Sequence, residues 1–191
     1  MTTLTPHQAR HLVAAINPRS PFGERNMAII IFLFHTGLRV GELVALNHDH
    51  VYANGQAREV LHLPASMTKY RRSRVVPLNA RARKAIEHLV AFNRARGFST
   101  DAGAPLWVNR KHKRLSKRAV QYLLQDLREK AALDVKATPH SLRHAFATAT
   151  ASKTGDIRAV QQILGHRRLN TTAIYTHPDL AAMSCVASAI A

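Results

Sequence analysis

Apolar positions along the chain recur mostly at helical spacing. Leu12, Val13 and Ile16 form a stripe behind Thr5-Pro6 and Gln8. A capping Thr, a Pro at the first helical position and a Gln three residues after the cap predict a helix over Pro6 to Ile16. Met27 to Phe34 is apolar nearly all round, which predicts a buried helix over Glu24 to His35, closed by Gly37 as a left-handed cap. A short helix, Val40 to Leu46, follows. The pattern then changes. Val51-Tyr52, the turn pair Asn54-Gly55, Glu59 to Leu63 and Arg74 to Leu78 read as three short strands of one antiparallel sheet. Helical spacing returns in Ala80 to Ala95, with Ile86, Leu89, Val90 and Phe92 on one side. Leu106-Trp107-Val108 is a short extended segment. Further helices are expected over Lys117 to Ala131, Pro139 to Ser152, and Asp156 to Leu164 with Gly165 ending it. A short helix capped by Asn170 and containing Tyr175 comes next, then a last one over Asp179 to Ile190. The expected fold class is α+β, mostly α-helical, with a small three-stranded antiparallel sheet beside the helical body.

Charge changes that picture more than size does. The chain has 191 residues, enough for one domain with a substantial core. Lys and Arg outnumber Asp and Glu by 28 to 11, a formal net charge of +17 with His neutral. Such an excess points to a polyanionic partner, most often nucleic acid. The densest run, Asn109 to Arg118, holds Arg110, Lys111, Lys113, Arg114, Lys117 and Arg118. It reads either as a solvated loop or as a phosphate contact. A single cysteine, Cys185, excludes an intramolecular disulfide framework and a cysteine-based zinc site. The first 20 residues lack a sustained apolar run, and Met27 to Phe34 is too short to span a bilayer, so a soluble, cytoplasmic protein is expected.

Candidate chemistry collects at the junctions between elements. Thr138-Pro139 opens a helix, so His140 enters its first turn, and Arg143 lies three residues later on the same face. A His and an Arg presented at a helix N-terminus suit an anion. Arg39 lies between two helices, Lys69 in a strand-to-strand loop, His166 just after Gly165, and Tyr175 nine residues further on. His140 and His144 have the spacing of a zinc-binding helix, but Ser141 stands where that motif needs Glu, and Arg143 between them would repel a cation, so no metal is expected.

Three segments, TGLRVGEL (Thr36 to Leu43), HSLRH (His140 to His144) and LGHRRLNTTAIYTH (Leu164 to His177), resemble the signature boxes of the tyrosine recombinases, the phage integrase family. Lys69, five residues before Arg74 of RVVPL, resembles the family's β-hairpin lysine. The opening LTPHQARHLVAAI resembles the start of its catalytic domain, so the likeness covers essentially the whole chain. It implies one catalytic domain over residues 1–191, with the family's N-terminal core-binding domain not represented.

The resemblance also implies a reaction. Tyr175 attacks a DNA phosphodiester, giving a 3′-phosphotyrosine that a second 5′-hydroxyl resolves, with no metal, ATP or other cofactor. His140 is then the proton acceptor or its organiser, since a phenol of pKa about 10 needs help to ionise. Arg39 and Arg143 hold the non-bridging oxygens, Lys69 protonates the leaving 5′-oxygen, and His166 donates a hydrogen bond to the same phosphate. Glu42 orients the active-site groups or is an ordinary surface helix residue, and His144 packs near the site. Arg71, Arg72, Lys111, Lys113, Arg114, Lys117 and Arg118 contact DNA. The implied partners are double-stranded DNA and, on it, three further copies in a tetramer, with a monomer off DNA. The implied setting is a mobile element in a prokaryotic cytoplasm, associated with the nucleoid. The last helix docks on a neighbouring subunit or packs on its own domain. Two other functions fit the same residues less well: relaxation of supercoils by a type IB topoisomerase, and a non-catalytic basic DNA-binding module.

Overall fold

The computed structural model describes residues 4–165 and 180–190. His166 and Tyr175, and the helix expected from Asn170, lie outside the described residues.

The helical part follows the apolar pattern closely. Helix α1 (Pro6–Ala14) starts at Thr5, whose hydroxyl accepts from the Gln8 amide while the Gln8 side chain accepts from the Thr5 amide. Helix α2 (Gly23–Thr36) is the spine of the molecule. Ile29, Ile30, Phe32 and Leu33 are wholly buried in it, and it packs against α1, α5 (Ala80–Ala95) and α7 (Pro139–Thr154). Burying four such side chains contributes on the order of 6–12 kcal/mol before chain entropy is counted. Two short helices follow, α3 (Val40–Ala45) and α4 (His48–Val51), and later come α6 (Lys117–Lys130), α8 (Ile157–Leu164) and α9 (Leu180–Ser188). No helix among the described residues is long and apolar enough to cross a membrane.

The expected three-stranded sheet is instead two separate two-stranded ladders. Strands β1 (Tyr52–Ala53) and β2 (Gln56–Ala57) form a hairpin whose turn, Asn54-Gly55, has both φ angles positive, at 52° and 80°. Strands β3 (Val60–Leu63) and β4 (Arg74–Pro77) pair in register from Val60 opposite Pro77 to Leu63 opposite Arg74. The chain breaks between the ladders because Arg58 folds back, its amide donating to the Val51 carbonyl and its side chain to that of Asp49. Val51, read as strand, closes α4; its burial reflects helix packing.

The C-terminal helix α9 packs on α7, α8 and β4 of its own chain. One polar knot ties it down. Buried Asn79 caps α5 with its side-chain oxygen, and its amide group donates to the Ala187 carbonyl and lies 3.0 Å from Nδ1 of buried His35. Burial, with Arg81 nearby, pulls His35 down to about 4, so its ring is neutral and Nδ1 accepts from Asn79.

Candidate active site

Two helix ends build the floor of the site. Helices α2 and α8 each stop at a glycine in the left-handed region, Gly37 at φ 62° and Gly165 at φ 64°. At Gly37 a side chain is also excluded by packing, since a Cβ would lie 2.6 Å from the Phe146 ring and 2.7 Å from Leu164. A helix C-terminus leaves carbonyls without intrahelical donors and carries partial negative charge. Arg143, on the first turns of α7, reaches both ends. Its Nη1 donates to the Gly37 carbonyl and its Nη2 to the Leu164 carbonyl, each at 2.6 Å. The side chain is therefore buried, although the helical face it shares with exposed His140 was expected to be an open anion hook.

Arg39 enters the same place from the other side. It precedes α3, and its amide donates to Glu42 Oε2 at 2.8 Å while Nη1 donates to Oε1 at 3.1 Å. Its Nη2 lies 3.5 Å from the Gly165 carbonyl. Glu42 is only 2% exposed, so it is a buried counter-charge and not a surface helix residue. Its second partner was missed in the sequence. Arg74, at the start of β4, forms a two-bond fork with Glu42 at 2.8 and 2.7 Å, and its Nε donates to the Ile163 carbonyl at the end of α8. A signal was present: Arg74 shares its strand face with Val76 and Leu78, both buried, so it points inward with them.

The electrostatics follow from that crowding. Burial pushes the Glu42 carboxyl up, but Arg74 and Arg39 more than reverse this and leave it below the usual carboxylate range. Arg143 is lowered to about 9 by burial and by Arg39 and Arg74, and it remains cationic near neutrality. His140 is shifted down by desolvation, His144, Arg143 and Arg39, so it is a neutral base at pH 7. Its ring meets that of His144 edge to face, with centroids 5.1 Å apart.

Lys69 and Arg39 share a neighbour. The Lys69 ammonium and the Arg39 guanidinium each lie 5.7 Å from the centroid of the Tyr70 ring. Arg39, Lys69, Glu42, His140 and Arg143 are thus linked by contacts and charge into one cationic region. Such a region binds an oxyanion and stabilises charge that grows on it.

The DNA candidates divide. Arg71 and Arg72 are exposed on the Lys69 loop. The basic run is a hairpin tip and not a loose loop: Val108 bridges to Arg114, and the Asn109 side-chain oxygen accepts from the amides of Lys111 and Lys113. Lys111 and Lys113 are presented outward on it. Arg114 is not. Its guanidinium donates to the carbonyls of Val44 and Leu46 and to Asn47 Oδ1, which makes it a tie at the end of α3. Lys117 lies along Gly41, where an added Cβ would come within 3.2 Å of its Cε, and Arg118 pairs with Tyr122 on the exposed face of α6.

The family model described as the phage integrase family matches residues 2–181. The chain is 32% identical over 174 residues to tyrosine recombinase XerD of Halalkalibacterium halodurans, covering 91% of this chain and 56% of that protein. It is 38% identical over 180 residues to tyrosine recombinase XerC of a Roseiflexus species, covering 91% and 54%. The chain therefore spans little more than half the length of these curated relatives. Among solved structures, the XerA recombinase superposes with a TM-score of 0.72 at 31% identity, over 96% of this chain and 63% of that one. A XerH site-specific recombinase bound to its difH substrate shares the fold, with a TM-score of 0.70 at 24% identity over 89% and 48%.

Proposed function

Because the chain belongs to the phage integrase family, we propose that it carries out strand cleavage and rejoining in a site-specific DNA recombinase, through a 3′-phosphotyrosine. The observation that supports this best is the convergence of Arg39 and Arg143 beside a neutral His140, with Glu42 buried between Arg39 and Arg74. Residues 1–191 act as the catalytic portion.

In the proposed reaction the Tyr175 oxygen attacks phosphorus and its proton passes to His140, which is neutral and able to take it. The P–O5′ bond breaks, and the leaving oxygen takes a proton from Lys69. Arg39 and Arg143 neutralise the non-bridging oxygens as the pentavalent state forms. His166 follows directly after Gly165, the residue whose carbonyl lies beside Arg39, and donates to the same phosphate. A 5′-hydroxyl of another strand then reverses each transfer. The bond energy stays in the phosphotyrosine, so neither a nucleotide nor a metal is consumed. Duplex DNA is the substrate. Two duplexes exchange in a tetramer assembled on DNA from a free monomer, at the nucleoid in the cytoplasm of a prokaryote. Exposed Arg71, Arg72, Lys111, Lys113, Lys117 and Arg118 contact the backbone.

Nicked suicide duplexes, selected by covalent capture from a randomised pool, test the reading on a denaturing gel. The wild-type chain forms a covalent DNA adduct, and Tyr175→Phe forms none. Undiminished DNA binding with no adduct from any duplex overturns it.

A further inference from the structure

The loop between β3 and β4 is a closed turn. The Thr68 hydroxyl donates to the Arg72 carbonyl at 2.9 Å and accepts from the Arg72 amide at 3.0 Å, and the Arg71 amide donates to the Thr68 carbonyl. Arg71 holds the left-handed conformation that this closure requires, at φ 50°. Lys69 and Tyr70 therefore sit side by side at a clasped tip. Tyr70 is among the large apolar side chains left exposed, at 43%. Its ring is close to two cations from different elements, Lys69 of the tip and Arg39 of the α2–α3 junction, each 5.7 Å from the centroid.

Two cations drawn into one region repel each other. The negative face of an aromatic ring offsets that repulsion and gives each cation a preferred position. We propose that Tyr70 is a positioning residue, whose ring registers the clasped tip against Arg39 and so holds the Lys69 ammonium where the leaving oxygen forms. This rests on the recombinase reading for its catalytic consequence, but the positioning itself is a property of the DNA-free protein. The proposal assigns the positioning to the face of the ring, so Phe at this position is expected to serve as Tyr does. Two ring contacts of this kind make the expected loss on removing the ring about five- to thirtyfold.

The first readout needs no DNA. Lys69 is acetylated by a limiting amine reagent and quantified by peptide mass spectrometry in the wild type, Tyr70→Phe and Tyr70→Leu. The leucine variant changes the Lys69 labelling rate severalfold and the phenylalanine variant matches the wild type; equal rates in all three overturn the proposal whatever the chain does to DNA. The second readout is single-turnover cleavage of the captured suicide duplex. Tyr70→Leu slows it about five- to thirtyfold, Tyr70→Phe restores it, and the defect disappears when the 5′-bridging oxygen is replaced by sulfur, which leaves without a strong acid. An equal defect on the oxygen and sulfur substrates overturns the assignment to Lys69. A wild-type chain that forms no adduct sinks the recombinase reading alone, because the labelling result still decides the role of Tyr70.

Discussion

Arg74→Leu isolates what the buried carboxylate needs. The substitution removes the two-bond fork to Glu42 and the bond to the Ile163 carbonyl. Glu42 stays 2% exposed in the wild-type packing, with Arg39 as its remaining cation. Breaking a buried ion pair from one side costs about 3–5 kcal/mol, because the other charge is left desolvated. Arg39 still donates twice to the carboxylate, which places the expected cost at the low end, about 3 kcal/mol. For a domain of this size that lowers the melting temperature by about 6–12 °C. Urea unfolding at pH 7 measures it. Glu42→Gln in the same background should recover at least about 1 kcal/mol relative to additivity, since the two residues share one interaction. The pH dependence has a fixed sign. In the wild type Glu42 titrates below its unfolded value, so its contribution is complete above that value and is lost as pH falls through the folded one. Without Arg74 burial favours the protonated carboxyl, so the gap between variant and wild type narrows as pH falls from 7 toward 4. A cost under about 1 kcal/mol together with an additive double variant would refute the reasoning.

Two other outcomes are expected. His35 titrates near 4 in the folded chain against 6.5 ordinarily, so the unfolded chain binds the extra proton between those values. Stability should therefore fall by about 3 kcal/mol as pH drops from 6.5 to 4, and His35→Gln should flatten the wild-type urea midpoint over that range; parallel curves would show that the ring carries no such linkage. Lys111→Ala with Lys113→Ala should reduce the slope of log affinity for DNA against log salt by about 2. Arg114→Ala should leave the slope unchanged and lower the urea midpoint instead, and the reverse pattern in filter binding and urea titrations would reassign the hairpin.

Local rules made much of the fold legible. Thr5, Thr138 and Asp156 cap the helices that their positions announce, and Gly37 and Gly165 end the helices before them. Glu42 was within reach of Arg39 by spacing alone. What spacing could not supply was long-range pairing. Three of the four described strands are legible but read as one sheet, and β2 (Gln56–Ala57) is not, because nothing local reveals that Arg58 turns back to Asp49 and Val51. Arg114 was grouped with its basic neighbours, because the carbonyls that occupy it lie some seventy residues earlier in the chain. Arg74 went unassigned for the same reason: its acceptors are on α3 and α8.

Those long-range bonds explain why the site is cationic at all. Three guanidinium groups, Arg39, Arg74 and Arg143, are drawn around one carboxylate. The fold tolerates this by spending two N–H donors of Arg143 on helix-end carbonyls, where partial negative charge is concentrated. A guanidinium has five donors, and among the described residues two are taken, so three are left over in a plane that the carbonyls fix. Arg143 is lowered to about 9 first by desolvation and then by repulsion from Arg39 and Arg74. In the proposed reaction a bound phosphodiester would supply the missing negative charge and lift that value. The pentavalent state carries more negative charge than the diester and would lift it further. On the proposed reaction, cations packed this closely around a single acid would bind the transition state better than the ground state, which is the condition for accelerating a reaction and not merely for holding DNA.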